Sequence, residues 1–222
     1  MTGYKYLITI ANRKFAEEYL EFFKDHNINH VLEKFCNGTA TNTTLDFLGL
    51  KDNHNVMFET LITNEKTKEL IKGLRNEMNI EGAGNGIALF ISVDGSGGKS
   101  SKEYFIDEKN SESKENTNME SYNSVLIITI VDKGNTELVM DSAKAAGATG
   151  GTVVRAHGTG TDIAKFFGIT ISEEKEMVYI VSSRANRDNI MKAIMEKAGR
   201  STAAHGVVFS LPIDKVIGMG IE

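Results

Sequence analysis

The chain has 222 residues, of which 41% are hydrophobic, and a formal net charge of −5 at pH 7. This acidic balance argues against a nucleic-acid-binding surface, and the single cysteine, Cys36, excludes a disulfide framework and a cysteine-rich metal site. No apolar run approaches the roughly 20 residues that span a bilayer, and residues 1–14 lack a signal-peptide pattern. We therefore expect a globular, cytoplasmic protein.

The chain repeats itself at an offset of 120 residues. Ile8-Thr9-Ile10 recurs as Ile128-Thr129-Ile130, and further identities keep the same offset: Gly38/Gly158, Thr39/Thr159, Thr41/Thr161, Phe47/Phe167, Met57/Met177, Ala83/Ala203, Gly86/Gly206 and Asp94/Asp214. The segment between the copies is rich in Gly, Ser, Lys, Glu and Asn, which is typical of a flexible tether. The sequence therefore predicts domains at residues 1–94 and 124–222, joined by a polar linker at 95–123.

In the first copy the hydrophobic patterning predicts the order β-α-β-β-α-β. Strands are expected at residues 4–11, 29–36, 55–63 and 86–93. Helices are expected at residues 14–25 and 65–78, where apolar side chains recur at helical spacing.

The second copy predicts the same order. It opens on an unbroken β-branched run at residues 125–131, VLIITIV, which is typical of a buried strand. Further strands are expected at 151–157, 177–183 and 206–211. Helices are expected at 133–146, ending at Gly147, and at 188–198, ending at Gly199.

This element order predicts an α+β fold of two tandem ferredoxin-like domains, each an antiparallel sheet with both helices on one face. The other face of each sheet remains apolar. We therefore expect it to be covered by another domain or subunit.

Motifs for catalysis are missing from the sequence, which holds no phosphate-loop, nucleophile-elbow or H-E-x-x-H pattern. The chain is therefore expected not to be an enzyme. Two glycine-containing loops in the second copy are the candidate ligand sites. One is the end of the second strand and the loop at residues 158–174. The other is the small-residue turn at residues 201–206. Glycines there let backbone amides approach a ligand, although ordinary turn geometry also explains them.

At these two loops the second copy resembles the PII signal-transduction family of nitrogen regulators, over about residues 124–218. The family's strand leading into its long T-loop ends Lys-Gly-Phe-Gly-Arg, and here that place reads His157-Gly158-Thr159-Gly160-Thr161. The family's B-loop and last strand are similar to residues 200–213, RSTAAHGVVFSLPI. Four positions depart from the family: its B-loop lysine and aspartate are replaced by Val207 and His205, and two later arginines by Gly218 and Gly220.

The resemblance implies a trimeric, non-enzymatic regulator that binds a small effector, an adenine nucleotide such as ATP or ADP, in clefts between neighbouring subunits. The residues so implied in nucleotide binding are Arg155, His157, Gly158, Thr159, Gly160, Thr161, Ala203, Ala204, His205 and Gly206. It also implies control of a partner, an enzyme or membrane transporter, through the T-loop, whose Phe166, Phe167, Gly168 and Ile169 are the candidate contact residues. Packing of these residues on a neighbouring subunit is the alternative.

Two other functions fit the same fold class. One is a divalent-metal-binding trimer like the CutA proteins, with Cys36, His157 and His205 as candidate ligands. The two histidines lie at strand edges and are more readily explained as hydrogen-bonded structural residues. The other is an enzyme of acylphosphatase type, which needs an arginine-bearing phosphate cradle beside the first strand. Residues 131–135, VDKGN, hold no arginine.

Overall fold

The computed structural model describes residues 4–39, 53–82, 84–93, 122–157, 164–166, 169–171 and 174–218. Within them the chain divides into two compact units. Unit 1 comprises Met1–Phe35, Asn42–Ser124 and Pro212–Glu222, and unit 2 comprises Cys36–Thr41 and Val125–Leu211. Both are α+β, as the hydrophobic patterning predicts. No described helix is long and apolar enough to cross a membrane.

Unit 1 has the element order β-α-β-β-α-β, with one strand added from the end of the chain. Its elements are β1 (Tyr4–Asn12), a 3-10 turn (Arg13–Phe15), α1 (Ala16–Asp25), β2 (Leu32–Gly38), β3 (His54–Thr63), α2 (Asn64–Asn76) and β4 (Ile87–Val93). β1 lies between β3 and β4 and pairs antiparallel with both, Ile8 opposite Glu59 and Leu89. The strand order β2-β3-β1-β4 is that of a ferredoxin-like sheet.

The core of unit 1 lies between the sheet and its two helices. Tyr19, Phe22 and Phe23 of α1 pack with Phe58 of β3, and the Tyr19 and Phe58 rings stack with centroids 5.8 Å apart. These rings are 4% exposed or less. The opposite face of the sheet is also buried, with Ile8, Ile10, Met57, Leu89 and Ile91 no more than 6% exposed.

The added strand, β11 (Lys215–Ile217), was not predicted from the sequence. It pairs antiparallel with β4, Val216 opposite Leu89, and Ile217 joins the buried core of unit 1. Asp214 anchors its start, because its carboxylate accepts from Lys5 Nζ at 2.7 Å and from Ser92 Oγ at 2.8 Å.

Unit 2 repeats the element order. Its elements are β5 (Ser124–Asp132), α3 (Thr136–Ala145), β6 (Thr152–His157), β7 (Ala164–Phe166), β8 (Ile169–Ile171), β9 (Glu174–Ser183), α4 (Arg187–Ala198) and β10 (Val207–Ile213). The strand order is β10-β5-β9-β6, and β6 and β9 pair antiparallel from Thr152–Tyr179 to His157–Glu174. The unit boundaries fall within β2 and β10, and Asn37 and Gly38 at the end of β2 pair with β6.

Both predicted helix-ending glycines lie where expected. Gly147 follows α3 with φ +95°, a conformation that glycine adopts without strain, and its N–H donates to Lys144 O. Gly199 caps α4 in an extended conformation, φ −71° and ψ 179°.

Other boundaries differ from the prediction. α3 begins at Thr136 rather than residue 133 because residues 132–135 form a turn, with Gly134 at φ +91°. The predicted loop 158–174 contains the short antiparallel hairpin β7–β8, and β9 already begins at Glu174. β2 begins at Leu32 rather than residue 29.

Candidate functional site

The turn at residues 201–206 is the predicted B-loop, and most of its hydrogen bonds are made within the chain. Thr202 N–H and Oγ1 both donate to Gly199 O, at 3.0 and 2.8 Å. Ala204 N–H donates to Thr202 Oγ1 at 3.2 Å, His205 N–H to Thr202 O at 3.1 Å, and Gly206 N–H to Ala198 O at 2.9 Å. The amides of Thr202, Ala204, His205 and Gly206 are therefore already occupied.

His205 is the B-loop side chain that contacts the end of β5. It adopts φ +48°, an uncommon conformation for a residue with a Cβ. Its ring Nδ1 lies 2.9 Å from Asp132 Oδ2, at the end of β5. Asp132 N–H in turn donates to Ala204 O at 3.1 Å. The B-loop is thus held to the end of β5 by a backbone bond and a side-chain bond.

Asp132 connects the B-loop to the first residues of β9. Its other carboxylate oxygen, Oδ1, accepts from Lys175 Nζ. The Lys175 hydrogen bond, and second the His205 hydrogen bond, lower the pKa of Asp132 below its usual range. The carboxylate is therefore ionised at neutral pH and shared between two basic groups.

Two further carboxylates, those of Glu174 and Glu176, flank Lys175 at the start of β9. Glu174 forms an ion pair with Lys133, and Lys133 N–H donates to Glu174 O at 3.1 Å. Glu176 accepts from Gly134 N–H at 3.1 Å and from Thr136 Oγ1 at 2.6 Å. The carboxylate of Glu176 therefore lies at the N-terminus of α3, where the helix dipole favours negative charge.

The predicted loop-base residues lie on β6, next to the same part of β9. Arg155, Ala156 and His157 are paired with Glu176, Lys175 and Glu174, respectively. Arg155 is exposed and Ala156 half-buried. Arg155 and the backbone of His157 therefore lie beside residues 174–176 of β9. His205 is connected to Lys175, in the same stretch of β9, through the Asp132 carboxylate.

Part of the predicted site lies outside the described residues. Gly158, Thr159, Gly160 and Thr161 are among these positions, as are Phe167 and Gly168 of the predicted partner-binding loop. The backbones of Phe166 and Ile169 are paired with each other in the β7–β8 hairpin. Ala203 is exposed and Ala204 is 1% exposed. Cys36, a candidate metal ligand, is 3% exposed on β2, whereas the His205 side chain is 61% exposed.

Asp132, Lys175 and Glu176 were missed by the sequence reasoning. Their signal was present: Asp132 follows an unbroken apolar strand, and residues 174–176, EKE, precede another. Charges at strand ends are usually solvated, so only the pairing of the strands shows that these side chains meet.

Unit 2 is thus a ferredoxin-like domain in which a glycine-flanked turn and the base of a long loop share one polar network. Residues 124–220 match the family described as Nitrogen regulatory protein P-II. Over these residues, which are less than half of the chain, the protein is similar to the PII family, in agreement with the resemblance of its loop sequences. No curated protein matches the chain.

Two solved structures are similar to it. The first, "Structure of B. subtilis GlnK", is 18% identical and covers 41% of this chain and 86% of its own, with a TM-score of 0.33. The second, "Crystal Structure of Arabidopsis thaliana PII bound to citrate", is 21% identical and covers 41% of this chain and 76% of its own, with a TM-score of 0.32.

Proposed function

We propose that the protein is a non-enzymatic regulator of PII type, in which a small effector binds to unit 2 between the base of the 158–174 loop and the B-loop. The observation that carries this proposal is the Asp132 carboxylate, which accepts from His205 of the B-loop and from Lys175 of β9. Since the 158–174 loop re-enters the sheet at Glu174, a ligand that moves His205 acts on the residues next to that loop. The loop, including residues 166–169, then changes its contact with a protein partner.

An adenine nucleotide is the first effector to test. A ligand that binds only the native state raises its stability by RT ln(1 + [L]/Kd), about 2.7 kcal/mol at one hundred times Kd. Thermal unfolding with ATP, ADP, AMP and adenosine measures this directly. The His205→Ala and Gly158→Val variants are expected to lose the ligand-dependent shift. His54→Ala, an exposed histidine of unit 1, is the matched control and is expected to keep it. A shift that survives both site variants contradicts the proposed placement.

The proposed assembly is a trimer in the cytoplasm, as the family resemblance implies. In unit 1 the sheet face opposite the helices is already buried. An exposed apolar sheet face is therefore not an argument for the trimer, and the proposal of a trimer rests on the resemblance. Light scattering tests it: a mass near three times 24.4 kDa supports the trimer, and a mass of one or two chains contradicts it.

A further inference from the structure

The polar network of unit 2 consists of basic groups that are already matched by carboxylates of the same chain. Among the described residues at this end of the sheet, Lys133 pairs with Glu174, and Lys175 and His205 both pair with Asp132. Arg155 lies opposite Glu176 in the β6–β9 register. Each of these three permanent cations, Lys133, Lys175 and Arg155, therefore has a carboxylate as its ion-pair partner or as its neighbour in the strand register.

The other places that attract a phosphate group are also occupied. A helix N-terminus binds anions through its N–H groups and dipole. At α3 this place is taken by Glu176, which accepts from Gly134 N–H and Thr136 Oγ1. In the B-loop, the amides of Ala204, His205 and Gly206 donate to acceptors within the chain. A polyphosphate would have to displace these internal acceptors.

We infer that Asp132 and Glu176 determine the ligand specificity of this site by occupying its anion-binding positions, so that the site takes an uncharged ligand, such as a nucleoside, in preference to a polyphosphate. The inference rests on the proposed function for the position of the site. Asp132 is the stronger determinant because its carboxylate is hydrogen-bonded to two basic side chains, Lys175 and His205. Charge-assisted hydrogen bonds are stronger than neutral ones, and here Lys175 and His205 make theirs to Asp132 of the same chain.

Calorimetric titration with two probes tests the inference. Inorganic tripolyphosphate reports the charge of the site without any nucleoside, and adenosine and ATP report the nucleotide preference. The variants are Asp132→Asn, which removes the negative charge beside Lys175 and His205, and Glu176→Gln, which removes the negative charge at the α3 N-terminus. Asp188→Asn is the matched control, because among the described residues the ion-pair partner of Asp188 is its neighbour Arg187 at the start of α4, and 80% of the Asp188 side chain is exposed. Thermal unfolding checks that each variant is folded.

We expect tripolyphosphate to bind Asp132→Asn at least tenfold more tightly than the wild type, Glu176→Gln also more tightly, and Asp188→Asn like the wild type. Wild type should bind adenosine at least as tightly as ATP. Equal tripolyphosphate affinity in wild type and both site variants overturns the inference, and so does tighter binding of ATP than adenosine by the wild type. If adenosine and ATP bind none of the proteins while tripolyphosphate behaves as expected, the nucleotide proposal fails and the inference on charge stands.

Discussion

Gly206 is the position where a single added methyl group should do most damage to the B-loop. A Cβ built there lies 2.0 Å from Ala198 O and 3.1 Å from Val131 Cγ1. The first contact is with backbone, which cannot rotate away as a flexible side chain can. Gly206 is buried, and its N–H donates to the same Ala198 O at 2.9 Å. The Gly206→Ala variant must therefore separate the start of β10 from the end of α4 and lose that hydrogen bond.

The expected cost combines two effects. Overpacking a filled site costs about 1–3 kcal/mol, and a buried N–H left without its acceptor costs about 1–3 kcal/mol. The free energy of unfolding should therefore fall by about 2–6 kcal/mol. For a chain of 222 residues, at about 2–4 °C per kcal/mol, this corresponds to a fall in melting temperature of about 4–24 °C.

Differential scanning calorimetry measures the effect, with Gly150→Ala as the control. A Cβ at Gly150 meets only Thr39 Oγ1, at the ordinary contact distance of 3.9 Å. Gly150→Ala is expected to change the stability by about 1 kcal/mol or less, towards stabilisation, since alanine restricts the unfolded chain. A Gly206→Ala melting temperature within about 2 °C of that of Gly150→Ala would refute the steric reasoning.

Three further predictions concern buried or paired polar groups. Thr9 and Thr129 are 0% exposed and, among the described residues, their hydroxyls have no hydrogen-bond partner; each Thr→Val variant should raise the free energy of unfolding by about 1 kcal/mol, and a loss on urea denaturation would contradict this. The buried Tyr19 hydroxyl is in the same position, and burial, with the Glu18 charge second, raises its pKa; Tyr19→Phe should be neutral or stabilising by about 1 kcal/mol, and clear destabilisation would reveal a hidden acceptor. The lowered pKa of Asp132 means that its ionised form stabilises the fold above the unfolded-state pKa of about 3.9 and that this stabilisation is lost as pH falls through the lower folded-state pKa. The melting-temperature difference between wild type and Asp132→Asn should therefore shrink as the pH falls below about 3.9, and a difference that instead grows below that pH would contradict this reasoning.

The sequence was sufficient to predict the fold class because the signals for it are local. The β-branched run at residues 125–131 becomes β5, and Gly147 and Gly199 end helices as their position predicts. The start of α3 was misplaced because helical patterning alone does not reveal the turn at Gly134, whose positive φ delays the helix by three residues.

The polar network could not be predicted in the same way, because it depends on contacts distant in sequence. Asp132, Lys175 and His205 lie 30 to 73 positions apart and meet only when β5, β9 and the B-loop are assembled. The strand β11 was missed for a related reason. Three residues, Lys215–Ile217, are too few to show alternation, and the strand is defined by its partner β4. The family resemblance identified the two loops from the sequence alone. The contacts between the charged side chains depend on which strands lie side by side.

The two copies differ at the three positions that form the polar network of unit 2, as the offset of 120 residues shows. Moved by that offset, Asp132, Lys175 and His205 fall on Asn12, Asn55 and Asn85 of the first copy. Asn12 and Asn55 are paired in the β1–β3 register. The Asn12 side chain serves a local purpose, accepting from Lys14 N–H at 3.0 Å, and Asn85 donates to Asn79 O at 2.9 Å.

The charged connection between a B-loop and a neighbouring strand is therefore carried by unit 2, and three neutral amides stand at the matching positions of unit 1. This is also the copy whose residues 124–220 match the PII family. Asp132→Asn places in unit 2 the residue that the first copy already has at Asn12. If the contacts of Asp132 with Lys175 and His205 transmit the response to an effector, that response is confined to unit 2. Converting all three positions of unit 2 to asparagine should then abolish the response while leaving the fold intact, because unit 1 folds with asparagine at all three.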